Sequence, residues 1–228
     1  MEPRPDIAAA LAAAARTINQ EDSLEDTLAT IAHTAQLSVP GFDYVGISTV
    51  DRKGNVQTRA ATGDLVWELD KLQYGLGEGP CVDTLRESEV VIAPRIRHDQ
   101  RWPSFVPQAV RLGLKSQLAV KLYLDKEGTL GGLNLYSTTD EDIDPDAEPL
   151  AHLFAAHAAI ALGHVRQREN LNEALQTRKV IGQAIGLVMG RYHLTEDRAF
   201  AFLVRASSHG NIKLRDIAQE MVDQANRT

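Results

Sequence analysis

The chain has 228 residues, 43 % hydrophobic and 24 % charged, a balance that argues against global disorder and fits one large domain or a medium and a small one. Its formal net charge is −7, but residues 166–228 hold 10 Lys and Arg against 7 Asp and Glu, while residues 1–165 hold 14 against 24. The single cysteine, Cys81, excludes an internal disulfide and fits a reducing, cytoplasmic setting.

Helical periodicity covers Ile7–Thr17 and resumes after Asp22, where Glu25 three residues later forms a capping box; Leu24, Leu28, Ile31 and Ala32 would be its buried face. The apolar run Ile7–Ile18 falls short of the roughly 20 residues a membrane span needs. It follows Glu2 and Asp6 instead of a basic stretch, so it does not read as a signal peptide either. Pro40-Gly41 ends this region. Tyr44–Val50 and Val56–Ala61 then read as strands, joined through Lys53-Gly54-Asn55, residues that tolerate the positive φ of a hairpin turn. A glycine-rich loop, Gly75–Cys81, follows. Further strands are predicted at Glu89–Ala93, Gln117–Leu124 and Thr129–Ser137, the last after the turn Lys126-Glu127-Gly128, with a short helix over Trp102–Leu112. The order is α–β–β–loop–α–β–α–β–β, an antiparallel sheet flanked by helices and hence an α+β fold.

From Asp144 the pattern is all helix. Asp144-Pro145-Asp146 is a start signal, and no proline occurs after Pro149, so one helix can run into the 180s. The stretch Pro149–Val165 carries His152, His157 and His164 and reads as amphipathic, not membrane-spanning. Arg166–Asn170 is polar on every face, and Leu171 and Leu175 can form a seam with a second copy of the helix. Thr195, Glu196 and Asp197 begin another helix that Gly210 ends, and Asn211 opens the last. This places a domain boundary between residues 165 and 166, inside a continuous helix. The tail core is predicted from Ile181, Ala184, Val188 and Tyr192, from Ala199, Leu203 and Ala206, and from Leu214, Ile217, Met221 and Val222.

Gly182, Gly186 and Gly190 recur every fourth residue inside this helical pattern, each costing about 1 kcal/mol against alanine. Their spacing aligns them on one ridge, serving either close packing against the next helix or the approach of a nucleic-acid backbone. Arg178, Lys179, Arg191, Arg205, Lys213 and Arg215 fall outside the core, and no acid occurs between Arg178 and Arg191, so this stretch can meet phosphates as well as solvent.

Arg178-Lys179-Val180-Ile181, Ala184, Gly186-Leu187-Val188-Met189, Glu196, Ala199-Phe200, Leu203, Ala206-Ser207, Asn211, Lys213-Leu214 and Ala218 together resemble the ANTAR domain over roughly residues 171–222. The resemblance implies a three-helix module that binds structured RNA in bacterial transcription antitermination, gripping leader stem-loops through its first helix and adjoining cations. Ile185 and Val204 depart from it, since these positions commonly carry a lysine and a basic residue in the family. In the same way Gly77-Glu78-Gly79-Pro80-Cys81, Arg101-Trp102-Pro103 with Phe105, and Gly131–Ser137 resemble the GAF sensor domain over roughly residues 7–165. That implies a sheet with a small-molecule pocket beneath crossing loops. Trp67, Tyr74, Cys81, Trp102 and Phe105 are its candidate walls.

An enzyme is not expected. Gly75-x-Gly-x-Gly is too short for a dinucleotide fingerprint and no Gly-Lys-Ser/Thr follows; the histidines on one helix lack metal-ligand spacing; no carboxylates pair. The expected function is a signal-responsive antiterminator binding RNA stem-loops through residues 166–228 under control of residues 1–165, as a homodimer through the long helix and with no membrane partner. The alternatives are a DNA-binding transcription factor and a thiol redox sensor built on Cys81. No cofactor and no particular ligand is implied.

Overall fold

A computed structural model describes residues 23–125 and 127–226 of the chain. The helix predicted over Ile7–Thr17, Asp22 of the capping box and Lys126 of the expected turn lie outside the described residues. The chain divides into two compact units, Met1–Val165 and Arg166–Thr228.

The first described helix, α1, is Leu24–Ser38. Its cap is Ser23, whose Oγ accepts from the Asp26 N–H at 3.1 Å. Glu25 is thus no capping-box partner; it pairs with Arg59 on the sheet. Leu28, Ile31, Ala32 and Ala35 are fully buried, a stripe at the spacing of one helical face. Five antiparallel strands follow: β1 Tyr44–Val50, β2 Val56–Ala61, β3 Val90–Ala93, β4 Ser116–Leu124 and β5 Gly128–Ser137, in the order β2-β1-β5-β4-β3. The closure of β1 on β5 brings Gly131 so near β1 that a Cβ there would lie 1.8 Å from the Ser48 carbonyl oxygen, so only glycine fits.

Side-chain alternation gives the sheet two different faces. On one, Val45 and Ile47, Leu118, Val120 and Leu122, and Leu133 and Leu135 meet α1 and the start of a long helix, α5, Ala147–Tyr192. Ala147, Ala151, Phe154, Ala155 and Ala158 repeat at three- and four-residue steps and close this core. The opposite face carries Ser48, Gln117, Asn134 and Tyr136, all fully buried. One register shift between Ile47 and Ser48 gives β2 an extra residue and sets Thr58 against Ser48 on this polar face.

Two helices cover it, the first missing from the expected order and the second the helix expected between the glycine-rich loop and the third strand. α2, Asp64–Leu76, buries Val66, Leu69, Asp70 and Gln73, and α3 is Pro80–Arg86. The expected loop Gly75–Cys81 is therefore mostly helix ends, and the turn is Gly77–Gly79, with φ of +65° at Gly77 and +126° at Gly79. The helix expected over Trp102–Leu112 is shorter: α4 is Val106–Arg111, because Pro103 and the preceding turn hold Trp102 and Phe105 outside regular helix.

In the second unit α5 continues to Tyr192 and is followed by α6, Glu196–Gly210, and α7, Leu214–Ala225. Ala184, Val188, Ala199, Leu203 and Ala218 form its buried centre, with Ile181, Leu214, Ile217, Met221 and Val222 partly buried around it. Two expectations are corrected here. Tyr192 is 51 % exposed, its ring 5.7 Å from that of Phe202, because it lies at the last residue of α5, beyond the packed turns. Asn211 does not open the last helix: with φ of +49° it is the left-handed cap of α6, and Lys213 precedes α7.

Candidate functional site

In the first unit the site is a buried polar layer between the sheet and helices α2 and α3. Its anchor is Asp70, fully buried on α2: Thr58 Oγ1 donates to Oδ2 at 2.6 Å and the Tyr136 hydroxyl donates to Oδ1. Burial pushes the Asp70 carboxyl up to about 6 against the pull of these hydroxyl donors. Gln73 Nε2 donates to the Tyr136 hydroxyl at 3.1 Å, and Gln73 Oε1 accepts the Cys81 backbone N–H at 2.9 Å and Gln117 Nε2 at 3.4 Å. Asn134 Nδ2 points at Cys81 Sγ at 3.2 Å, with Ser48 Oγ at 3.6 Å and the Tyr74 hydroxyl at 3.9 Å from the same sulfur. Two acceptors in this layer have no partner: Gln117 Oε1 and Asn134 Oδ1.

Of the five residues expected to wall a pocket, the structure brings together Tyr74 and Cys81. Trp102 and Phe105 belong to an adjoining apolar cluster with Val66, Leu69 and Ile96. There Trp102 Nε1 donates to Asp83 Oδ2 at 2.8 Å, and Glu78 Oε2 accepts the Ser104 and Phe105 backbone N–H groups. Trp67 is not a wall of the layer. It is 47 % exposed, because α2 buries the stripe 66-69-70-73 and position 67 faces away from it. An open groove among the described residues of this unit, about 540 Å³, is lined by Glu68, Lys71, Leu72, Leu76, Gln108, Arg111 and their neighbours, and by none of the five.

Sequence reasoning missed Ser48, Thr58, Asp70, Gln73, Gln117, Asn134 and Tyr136. The signal was present in β5, where Gly132, Asn134 and Tyr136 alternate with Leu133 and Leu135. A strand buried on both faces that keeps a polar residue at alternate positions is concealing a polar interior.

Cys81 is fully buried and burial pushes its thiol up to about 12. A thiol held protonated at neutral pH is a poor nucleophile toward oxidants, which weighs against the redox-sensor reading. His157 Nδ1 sits 2.8 Å from the Leu153 carbonyl within its own helix. Among the described residues no group of three or more His, Cys, Asp and Glu gathers to hold a metal, and no helix is long and apolar enough to cross a membrane.

In the second unit the candidate surface lies on α5. Ile181, Ala184, Ile185 and Val188 face its core, so the opposite side carries Arg178, Gly182, Gly186 and Gly190 on one four-residue ridge and Lys179, Gln183, Leu187 and Arg191 on the next. A Cβ built at Gly182, Gly186 or Gly190 meets nothing within 4 Å, so the packing reading of these glycines is not what the unit uses. The result is a bare, acid-free track about 18 Å long at 1.5 Å per residue between Lys179 and Arg191, with cations at both ends. Arg205 on α6 and Lys213 before α7 are exposed. Arg215 is engaged: its Nη1 lies 2.7 Å from Glu173 Oε1 and its Nε 3.4 Å from Asp216 Oδ1. Ile185 packs partly into the core, while Val204 is exposed beside Arg205.

A family model for the GAF domain matches residues 21–163 and one for the ANTAR domain matches residues 169–222. Among solved structures, the chain is similar to the GAF domain of an Acinetobacter phosphoenolpyruvate-protein phosphotransferase, with 18 % identity and a TM-score of 0.57 over 72 % of this chain and 97 % of that one. The GAF domain of the corresponding Coxiella burnetii protein aligns at 17 % identity and a TM-score of 0.59, over 72 % and 97 % of the two chains. Free methionine-R-sulfoxide reductase from Neisseria meningitidis aligns at 18 % and 0.54, over 71 % and 91 %. At these identities the likeness establishes the fold alone. No curated protein matches the chain.

Proposed function

Because the chain belongs to the GAF family and carries an ANTAR domain after its sensor domain, an architecture of regulators, we propose that it binds RNA stem-loops through residues 166–228 and acts in transcription antitermination under control of its GAF domain. The observation that carries this reading is the open track on α5. Arg178 and Lys179 stand at one end, Arg191 at the other, no acid lies between, and the glycines leave a backbone-smooth surface on which a phosphodiester chain can lie. Arg205 and Lys213 extend the cationic surface onto the next two elements. Arg215, already paired with Glu173, contributes less. The input is the polar layer of the GAF domain around Tyr74 and Cys81, and the output passes along α5, which pairs with its copy in a homodimer through Leu171 and Leu175, both exposed.

The DNA-binding reading is less well supported, because α7 presents Asp216, Glu220 and Asp223 beside its few cations and would meet a groove with repulsion. Equilibrium binding of the full-length protein to hairpin RNA and to duplex DNA, at one salt concentration, separates the two. Preference for the hairpin supports the proposal; equal or tighter binding to the duplex overturns it.

A further inference from the structure

Gln117 Oε1 and Asn134 Oδ1 are carbonyl oxygens with no donor, on side chains that are fully buried. Buried acceptors are nearly always paired, so two orphans in one layer call for a cause. The Gln117 amide has no freedom to turn end for end. The Cys81 backbone N–H can only donate, so it fixes Gln73 Oε1 toward itself. Gln73 Nε2 then faces the Tyr136 hydroxyl, whose own proton goes to Asp70. Gln117 must therefore offer its NH₂ to Gln73 Oε1, which leaves its oxygen over. Asn134 sits diagonally across the strand pair, since Gln117 is opposite Tyr136 and Asn134 is two residues back on the same face.

The rest of the layer has the same polarity. Asp70 is held by hydroxyl groups, with no cation among its partners. The layer thus leaves two carbonyl oxygens without donors beside the Asp70 carboxyl, and no Lys or Arg is among the buried polar residues described around them. We propose that this layer binds a small organic cation, an amine, amidine or guanidine, whose N–H groups donate to Gln117 Oε1 and Asn134 Oδ1. This rests on the reading of the GAF domain as the sensor and names the chemistry of its ligand.

Entry requires movement. A Cβ on Gly46 would meet Val66 Cγ1 at 2.5 Å, so α2 lies directly on the sheet. The link between α2 and α3 is the segment Gly77-Glu78-Gly79, with both glycines in the left-handed region. Occupancy lifts α3 and its Cys81 N–H away from Gln73, and so converts a bound cation into a change of shape.

The test is the melting temperature of the full-length protein with methylamine, acetamidine or methylguanidine hydrochloride, against potassium chloride and sodium acetate at equal ionic strength. At least one organic cation raises the melting temperature by about 3 °C or more near ten times its Kd, beyond both controls. The Gln117→Leu/Asn134→Leu variant loses that response while melting at or above the wild-type temperature without ligand, because its orphaned acceptors are gone. No shift beyond the controls in the wild type, an equal shift with potassium or acetate, or a full response in the variant overturns the proposal. The wild-type comparison holds whether or not the variant folds. Hairpin binding by the same preparation reports separately on the output: RNA binding without a cation response overturns this inference alone, and a cation response without RNA binding overturns the proposed output alone.

Discussion

Asp70 is a carboxyl whose ionised form the fold resists. Its value rises from 3.8 to about 6, so between those pH values the unfolded chain has released a proton that the folded one retains. The stability it contributes is complete below pH 3.8 and is lost as pH rises through 6, a change on the order of 3 kcal/mol from the linkage relation. Asp43 runs the other way: although burial raises it, the N–H groups and hydroxyls of Thr138 and Thr139 hold its carboxyl below the usual range. Comparison with Asp70→Asn isolates the residue from such groups. The variant gains stability relative to wild type as pH rises from 4 to 7, read by denaturant melts at each pH, and a difference constant across that range contradicts the assignment. Asp70 was not legible in the sequence as a functional residue, since an acid in an amphipathic helix reads as solvent-facing. Only the polar sheet face opposite it, set by the bulge that turns Thr58 inward, makes the buried position intelligible.

At the scale of elements, the glycine ridge of α5 separates stability from function. Glycine is the poorest ordinary residue in a helix interior, and an added methyl at Gly186 meets open space. Gly186→Ala is therefore expected to stabilise the second unit by about 0.5–1 kcal/mol, read from its thermal or urea transition. The same change places a methyl on the track and weakens hairpin RNA binding, by about tenfold if a phosphodiester backbone lies there. Destabilisation would mean that the ridge packs against something, and unchanged RNA affinity would remove it from the interface. The strands and the helical tail were legible because hydrophobic periodicity and turn residues marked them: Tyr44–Val50 and Val56–Ala61 match their predicted limits, and Gly210 does end α6. Helix α2 was hidden: its buried stripe includes Asp70 and Gln73, which break the apolar pattern, and Gly75, Gly77 and Gly79 mask its end, and the start of the helix expected before the third strand, as loop. Trp67, chosen for its size, fell on the outer side of α2 for the same reason.

For the whole molecule, a polar-centred GAF domain and an ANTAR domain with an open cationic track share one helix, Ala147–Tyr192. In the proposed function residues 166–228 are the output and RNA is their partner. The net charge of −7 would argue against such a partner if it were spread evenly, and its division between the two units removes the objection. The most direct measurement is equilibrium binding of the full-length protein to RNA hairpins over a salt series, beside Arg178→Glu/Lys179→Glu. Both positions are exposed, so the variant should melt within a few degrees of wild type. Hairpin binding by the wild type is expected, with a loss of at least tenfold in the variant and a shallower dependence of affinity on salt by about two phosphate contacts. Equal affinity and equal salt dependence for the two proteins would contradict the proposed function.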